Sequence, residues 1–452
     1  MRHRADAARN AAPTRGAAIR ARIFALLRFS LLFWACVNFA LVAVSGFTYL
    51  RSIAFGFALL FALWLILGAI FSDGEPIPVP DDYLLGTLVA WSAWSAASVA
   101  WSIQPAYSLA ELGTEVGWGL ATVAIYYVAA RTGPAFRAVT TTIVAVTVFL
   151  ALLAIRVMFE SGVTGPETAL LRSHGGVGAF STLLVLVAPL LPLLCAPRPV
   201  GYGAVALQIA VVLAAFALLF AAARLTENRM IWVAFAVGFL LAAALAAWRW
   251  RTRLERAPKR WGAVLLVLLV ALGALFVDAA LQRARTDFKD DTTVAQTIAE
   301  DPRILLWQHT FERIGERPWT GFGFGKSILR DQLRQETGHP LLLHAHNLFV
   351  SQWLQTGAIG VVALLALLGA LAWRYWGFLR APDGTLAAIG LAGIVMLATF
   401  VVKNLTDDFM IRPTSKEFWA INALLVGYGI RQMRIAPPGT AARLPAAQSA
   451  SG

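Results

Sequence analysis

Charged side chains are scarce: Asp, Glu, Lys and Arg make up 14% of the 452 residues, while 59% are hydrophobic. A soluble domain carries about 25% charged and about 45–50% apolar residues, so a string of water-facing domains is excluded. Acidic residues are the scarcer sign, 25 against 38 Lys and Arg, which leaves a formal net charge of +13. That excess does not indicate nucleic-acid binding, because the basic residues sit mainly in short stretches between apolar runs, where orientation in a bilayer accounts for them. Cysteine is nearly absent. Cys36 and Cys195 both fall inside apolar runs, so neither a disulfide framework nor a cysteine-based metal site is indicated. A removable signal peptide is also missing. The Arg- and Ala-rich residues 1–22 lead into an apolar run from Ile23 that contains Arg28 and shows no small-residue cleavage site, so the run reads as a retained first span.

What the chain has in abundance is runs of about 20 apolar residues, the length that crosses a hydrocarbon core. The reading is an all-α polytopic membrane protein with about 12 transmembrane helices, near 23–45, 52–72, 84–101, 112–130, 136–158, 176–195, 202–223, 230–248, 261–281, 355–376, 385–402 and 415–430. An even number puts both ends on one side. The inner segments hold 20 Lys and Arg and the short outer ones hold 7, which turns both ends to the cytoplasm. The organisation expected is a basic cytoplasmic tail over 1–22, helices 1–9 over 23–281, a long outer loop over 282–354 between helices 9 and 10, helices 10–12 over 355–430, and a second cytoplasmic tail over 431–452 without an added soluble domain. No internal repeat is visible, which speaks against a transporter built from inverted repeats.

The outer side is the working side. Five of the six histidines (His174, His309, His339, His344 and His346) fall there, four of them in the long loop. A connection of about 70 residues, in a chain whose other connections are short, is too long to be mere linkage. Within it, Asp301-Pro302 reads as helix cap and first helical position, and Ile304, Trp307, Phe311 and Ile314 follow as an apolar stripe. This predicts a short amphipathic helix that either lies on the membrane with Arg303 near its start or packs on the bundle. The segment from Pro318 to Ser327 ends in Gly-Lys-Ser but is no phosphate-binding P-loop, since Thr320 stands where that motif needs its first glycine. What remains is a Gly-rich turn, suited to a structural role or to a backbone nest for an anion.

The sharpest feature is His344-Ala345-His346-Asn347 immediately before an apolar run. An imidazole titrating near neutrality at the edge of a water-accessible cavity suits general-base chemistry. The pair could instead hold a metal with His339, Asp287, Asp290 or Asp291, but none of these has firm ligand spacing, and no metal is expected. Arg224 and Arg229 occupy a short outer connection at the hydrocarbon boundary, where guanidinium groups favour phosphate through two parallel charge-assisted hydrogen bonds. Glu227 offers the alternative of a local salt bridge. Lys403, Asp407, Asp408, Arg412 and Lys416 cluster in the last outer loop, as a solvated rim or as lining of the same cavity. Apolar spans, an outer histidine and outer arginines together suit a lipid substrate with a phosphate head.

Three ordered blocks carry a family resemblance over roughly 215–380. They are Glu227-Asn228-Arg229 opening a span, Arg303 through Leu306-Trp307 leading to Pro318-x-Thr320-Gly321-x-Gly323, and His344-x-His346-Asn347-Leu348 leading to Thr356-Gly357-x-x-Gly360. The set resembles the bacterial O-antigen ligases, which share a membrane superfamily with the O-antigen polymerases and the protein O-oligosaccharyltransferases. The resemblance implies a fold like that of C-type membrane glycosyltransferases, in a multi-pass inner-membrane protein whose active site faces the periplasm. It implies transfer of a polysaccharide from undecaprenyl pyrophosphate to a sugar hydroxyl of lipid A-core, with inversion and with neither nucleotide nor metal. Carried over by position, Arg229 and Arg303 would hold the donor pyrophosphate, assisted by Arg224. His346 would take the acceptor proton, His344 would assist, and Asn347 would orient the histidine or cap the helix that starts there. A carrier or flippase for lipid-linked glycans would use the same basic cavity without a base.

Overall fold

A computed structural model of the chain describes residues 15–44, 48–71, 76–162, 176–195, 202–256, 302–338 and 344–435. The span read at 261–281 therefore lies outside the described residues, as do His174, His339, Asp287, Asp290, Asp291, Asp301 and most of both tails. The described residues contain no strand. They form α1 (Arg15–Ala43), α2 (Thr48–Phe71), α3 (Asp82–Ala97), α4 (Pro105–Glu111), α5 (Trp118–Ala129), α6 (Gly133–Ser161), α7 (Val177–Val187), α8 (Tyr202–Leu225), α9 (Arg229–Arg256), α10 (Pro302–Glu316), α11 (Arg330–Thr337), α12 (Leu348–Arg380), α13 (Gly384–Lys403) and α14 (Arg412–Ile435). Nine of these, with the tight turns that extend α3 and α7, are long and apolar enough to cross a bilayer. The chain is a multi-pass membrane protein.

Two runs read as spans, 112–130 and 415–430, are helical but fall short of that apolarity. The first begins as a π-helical turn (Leu112–Gly117) before α5, and the second is α14. Their polarity has a packing cause: α5 and α14 pack on each other more extensively than most helix pairs and bury Thr122, Glu417 and Asn422. A helix shielded from lipid needs no continuous apolar surface, provided its polar groups find partners inside. Asn422 does so, accepting a hydrogen bond of 2.8 Å from the Tyr375 hydroxyl on α12.

One feature of α12 positions the site. The helix is broken at Gly357, whose backbone is left-handed (φ 71°), so residues 348–356 and 358–380 are separate helical pieces. A break leaves carbonyls without helical partners, which is tolerated at membrane depth only when other groups supply the hydrogen bonds. The Gly-rich turn supplies them. Phe322 N–H donates to Leu354 O (3.0 Å), Gly323 N–H to Gln355 O (2.9 Å), and the Trp94 indole of α3 to Thr356 O (2.8 Å). In return Ala358 N–H and the Trp353 indole donate to Pro318 O at 2.9 and 2.8 Å. Of the two roles open to this turn, the structural one uses these amides, so they are not free to cradle an anion.

Helix α10 packs on the bundle. Leu306, Ile314, Phe322, Ile328, Leu329, Leu333 and Leu354 form a second small core beneath it. Its buried face runs through Leu306, Thr310 and Ile314, while Phe311, counted in the expected stripe, is 49% exposed. Arg313 ties the helix to α11 through an ion pair with Glu336.

Candidate active site

Three connections bring the site residues to one end of the bundle. Helix α9 runs antiparallel to α13: Arg249 donates to Leu379 O and Ala381 O just before α13, and Gly238 meets Thr399 further along it. Continuing that register, Arg229, the first residue of α9, comes level with the end of α13 and the loop after it. That loop is joined to the start of α12, because Leu348 N–H donates to Asn404 O (3.0 Å) and Asn347 Nδ2 to Leu405 O (2.9 Å). Finally, the Trp307 indole on α10 donates to Ala345 O (2.7 Å), which brings α10, and with it Arg303 one turn earlier, to the His-x-His segment. The side chains of Arg229 and Arg303 lie outside the described atoms. Arg224 is exposed in the last turn of α8, five residues before Arg229.

His344 and His346 lie together, ring centroids 3.9 Å apart, and both face one carboxylate oxygen. Asp407 Oδ1 stands 3.4 Å from His344 Nε2 and 3.5 Å from His346 Nδ1, with Lys326 Nζ at 3.8 Å. The backbone N–H of Asp408 donates to the same oxygen at 2.8 Å. Lys326 is further fixed by donating to Asp408 O at 2.6 Å. His346 is held in the left-handed region (φ 48°), a conformation that a β-substituted residue adopts at a free-energy cost of order 1–3 kcal/mol. Both of its ring nitrogens are buried without a hydrogen-bond partner. Such strain and unmet hydrogen-bonding capacity concentrate where function demands them. Asn347 is a helix cap: its Oδ1 accepts from Phe349 N–H (2.9 Å) and Val350 N–H (3.1 Å).

Asp407 and Lys326 were not among the site residues expected from sequence. Asp407 is one of the loop residues that the sequence offers as rim or cavity lining, and Lys326 belongs to the Gly-Lys-Ser that fails as a P-loop. The donor atoms of His344, His346 and Asp407 lie within 4.8 Å of one another, a spacing that could hold a metal ion. Lys326 already brings a positive charge to that oxygen, which lowers the site's attraction for a second cation.

The cluster polarises its members in opposite directions. Burial pushes Asp407 up, but the imidazole groups of His344 and His346 and the charge of Lys326 outweigh it and hold the carboxyl well below the usual carboxylate range. Burial, with Lys326 and His346, pushes His344 down to about 4 against the pull of Asp407. His344 is therefore neutral at neutral pH and free to donate Nε2–H to Asp407. Between the unfolded value of 6.5 and the folded value of about 4, the unfolded chain binds the extra proton, so stability falls as pH is lowered through that window. The difference amounts to up to about 3 kcal/mol. Glu115, pushed up to about 7 by burial, contributes in the opposite sense over much of the same range, so the readout is a comparison: in detergent, going from pH 6.5 to 4 should cost the wild type more thermal stability than it costs His344→Gln, and superimposable pH profiles would clear His344 of the effect.

The cluster thus sets a strained histidine against a half-buried carboxylate, at the end of the bundle where the two arginine-bearing helices α9 and α10 start. Comparison with known families supplies the context. Residues 214–365, from α8 into α12, match the model of the O-antigen ligase family, about a third of the chain. A curated relative, the general O-oligosaccharyltransferase of Acinetobacter baylyi, is 26% identical over 161 residues, spanning 33% of this chain and 28% of the relative's own length.

Proposed function

We propose that the protein is an O-antigen ligase, transferring a polysaccharide from undecaprenyl pyrophosphate to a sugar hydroxyl of lipid A-core at the periplasmic face of the inner membrane. The observation that carries this is His346, a buried imidazole with Nδ1 turned to an ionised Asp407. In the tautomer with the proton on Nδ1, N–H faces the carboxylate and Nε2 is the basic nitrogen. Nε2 removes the acceptor hydroxyl's proton while the oxygen forms its bond to the anomeric carbon. The bond from that carbon to the pyrophosphate oxygen breaks on the opposite face, and the leaving group departs with the electron pair. Asp407 steadies the imidazolium that results, as an orienting carboxylate does for a histidine base. Arg229, Arg303 and Arg224 hold the pyrophosphate and offset its growing charge. His344, neutral, fixes Asp407 from the other side. Pyrophosphate is already a competent leaving group, so positioning, charge and a base suffice.

The match to an O-oligosaccharyltransferase favours a second reading, in which the same donor chemistry serves another hydroxyl acceptor. A product assay separates them. Purified protein is mixed with a polyprenyl-pyrophosphate-linked glycan and offered rough lipopolysaccharide, a hydroxyl-bearing acceptor protein, or no second acceptor, without nucleotide or divalent metal. A ladder on the lipopolysaccharide supports the ligase, and glycan on the protein supports the second reading. Lengthening of the lipid-linked glycan itself would mean a polymerase. No product with any acceptor, alongside continued glycan export in cells, would replace the enzyme by a carrier.

A further inference from the structure

The opposite end of the bundle carries a second cationic site. There α3 begins and α12 and α14 end; Arg374 lies 17 residues beyond the break at Gly357, about 26 Å along the second piece of α12 at 1.5 Å per residue. Asp81, Arg374 and Arg434 line a cavity of about 450 Å³ together with Val79 and Met433. Its lining carries an excess of one positive charge. Arg374 is paired with Asp81 through one terminal nitrogen, and Arg434 donates to Val79 O (3.1 Å). The pairing is incomplete, since Arg374 Nε and Asp81 Oδ1 are buried with no hydrogen-bond partner. A buried donor and a buried acceptor left unmet each carry a desolvation cost, so a ligand that meets both gains affinity.

The cavity's surroundings identify the kind of ligand. Through Pro80 it adjoins a narrow apolar groove of about 50 Å³ between α3, α5, α12 and α14, lined by Leu84, Leu88, Leu371 and Trp419. Val79 and Met433, which line the cavity, are exposed apolar side chains. Arginines beside an apolar groove at a helix end suit an amphiphile with an anionic head rather than a free ion.

We propose that this end of the bundle binds an anionic phospholipid: its phosphate diester lies at Arg374 and Arg434, a head-group hydroxyl donates to Asp81 Oδ1, and an acyl chain runs out along the exposed side chains of Val79 and Met433. The site is separate from the histidine cluster and stands whatever glycan the protein transfers.

The test is native mass spectrometry and thermal unfolding of detergent-purified full-length protein with phosphatidylglycerol, phosphatidylcholine or inorganic phosphate. Phosphatidylglycerol should remain bound and raise the midpoint, and Arg434→Gln, an exposed position, should weaken its binding about five- to tenfold without changing the lipid-free midpoint. Arg374→Gln should weaken binding further; if it fails to fold, Arg434→Gln alone decides. Equal retention of phosphatidylcholine, wild-type binding by Arg434→Gln, or equal stabilisation by inorganic phosphate would each overturn the proposal.

Discussion

His346→Ala is expected to lower glycosyl transfer by about 10²–10⁴-fold while leaving the donor bound, because a positioned general base contributes about that much to rate and the pyrophosphate contacts belong to other residues. The measurement is single-turnover transfer alongside donor binding on the same preparation. If donor binding fell as far as turnover, His346 would be a binding residue and the proposed base would lie elsewhere. Asp407→Asn separates orientation from basicity: it keeps the shape but removes the charge that steadies the imidazolium, so it should approach the loss seen for His346→Ala. In the double variant the losses should not add, since a carboxylate acting only through His346 has nothing to act on once the imidazole is gone. Additive losses would mean that Asp407 serves the reaction independently. Asp407→Asn also removes the partner of Lys326, 3.8 Å away. Lys326→Met, which leaves Asp407 facing both imidazoles, controls for that.

How much of this site was readable in the chain depends on distance along it. His344, His346 and Asn347 are contiguous at the start of an apolar run, and their local pattern was enough to single them out. Asp407 is 61 positions from His346, and nothing in either segment says that they meet. The meeting is made by α12 and α13 packing side by side, which brings Asn404 O within 3.0 Å of Leu348 N and so folds the loop after α13 over the histidines. The Gly-rich turn was ambiguous for a similar reason. Its amides could be assigned only once the broken carbonyls at Leu354 and Gln355 were seen to receive them. Along α10 the helical period was legible, yet the stripe through Phe311 missed the buried face by part of a turn. Two apolar surfaces border that helix, the small core beneath and the surface outside, and periodicity alone cannot say which one each residue meets. The helical class was plain, because runs of about 20 apolar residues admit few other folds in a membrane.

Gly357→Ala is expected to prevent stable assembly of the site. The residue sits at φ 71°, and a Cβ there would overlap the Trp319 carbonyl and the Thr320 amide, both backbone groups that cannot swing aside. Strain at a left-handed position costs of order 1–3 kcal/mol and overpacking typically about 1–3 more. Together these come to about 2–6 kcal/mol, a large share of a marginal stability of about 5–15 kcal/mol. The damage would not stay local, because the same approach carries the bonds between Pro318 and Ala358 and between Phe322 and Leu354. Opening it releases α10, whose Trp307 holds Ala345 between the two histidines. Gly321→Ala should act likewise from the facing side, since a Cβ there would come within 2.5 Å of the Gln355 carbonyl. Gly369→Ala, farther along the same helix with nothing within 4 Å, should leave unfolding and turnover unchanged. The decisive readout is the thermal midpoint of each variant in detergent beside its transfer activity. Should Gly357→Ala unfold at the wild-type temperature with full activity, the locked break could not be what holds the histidines in place.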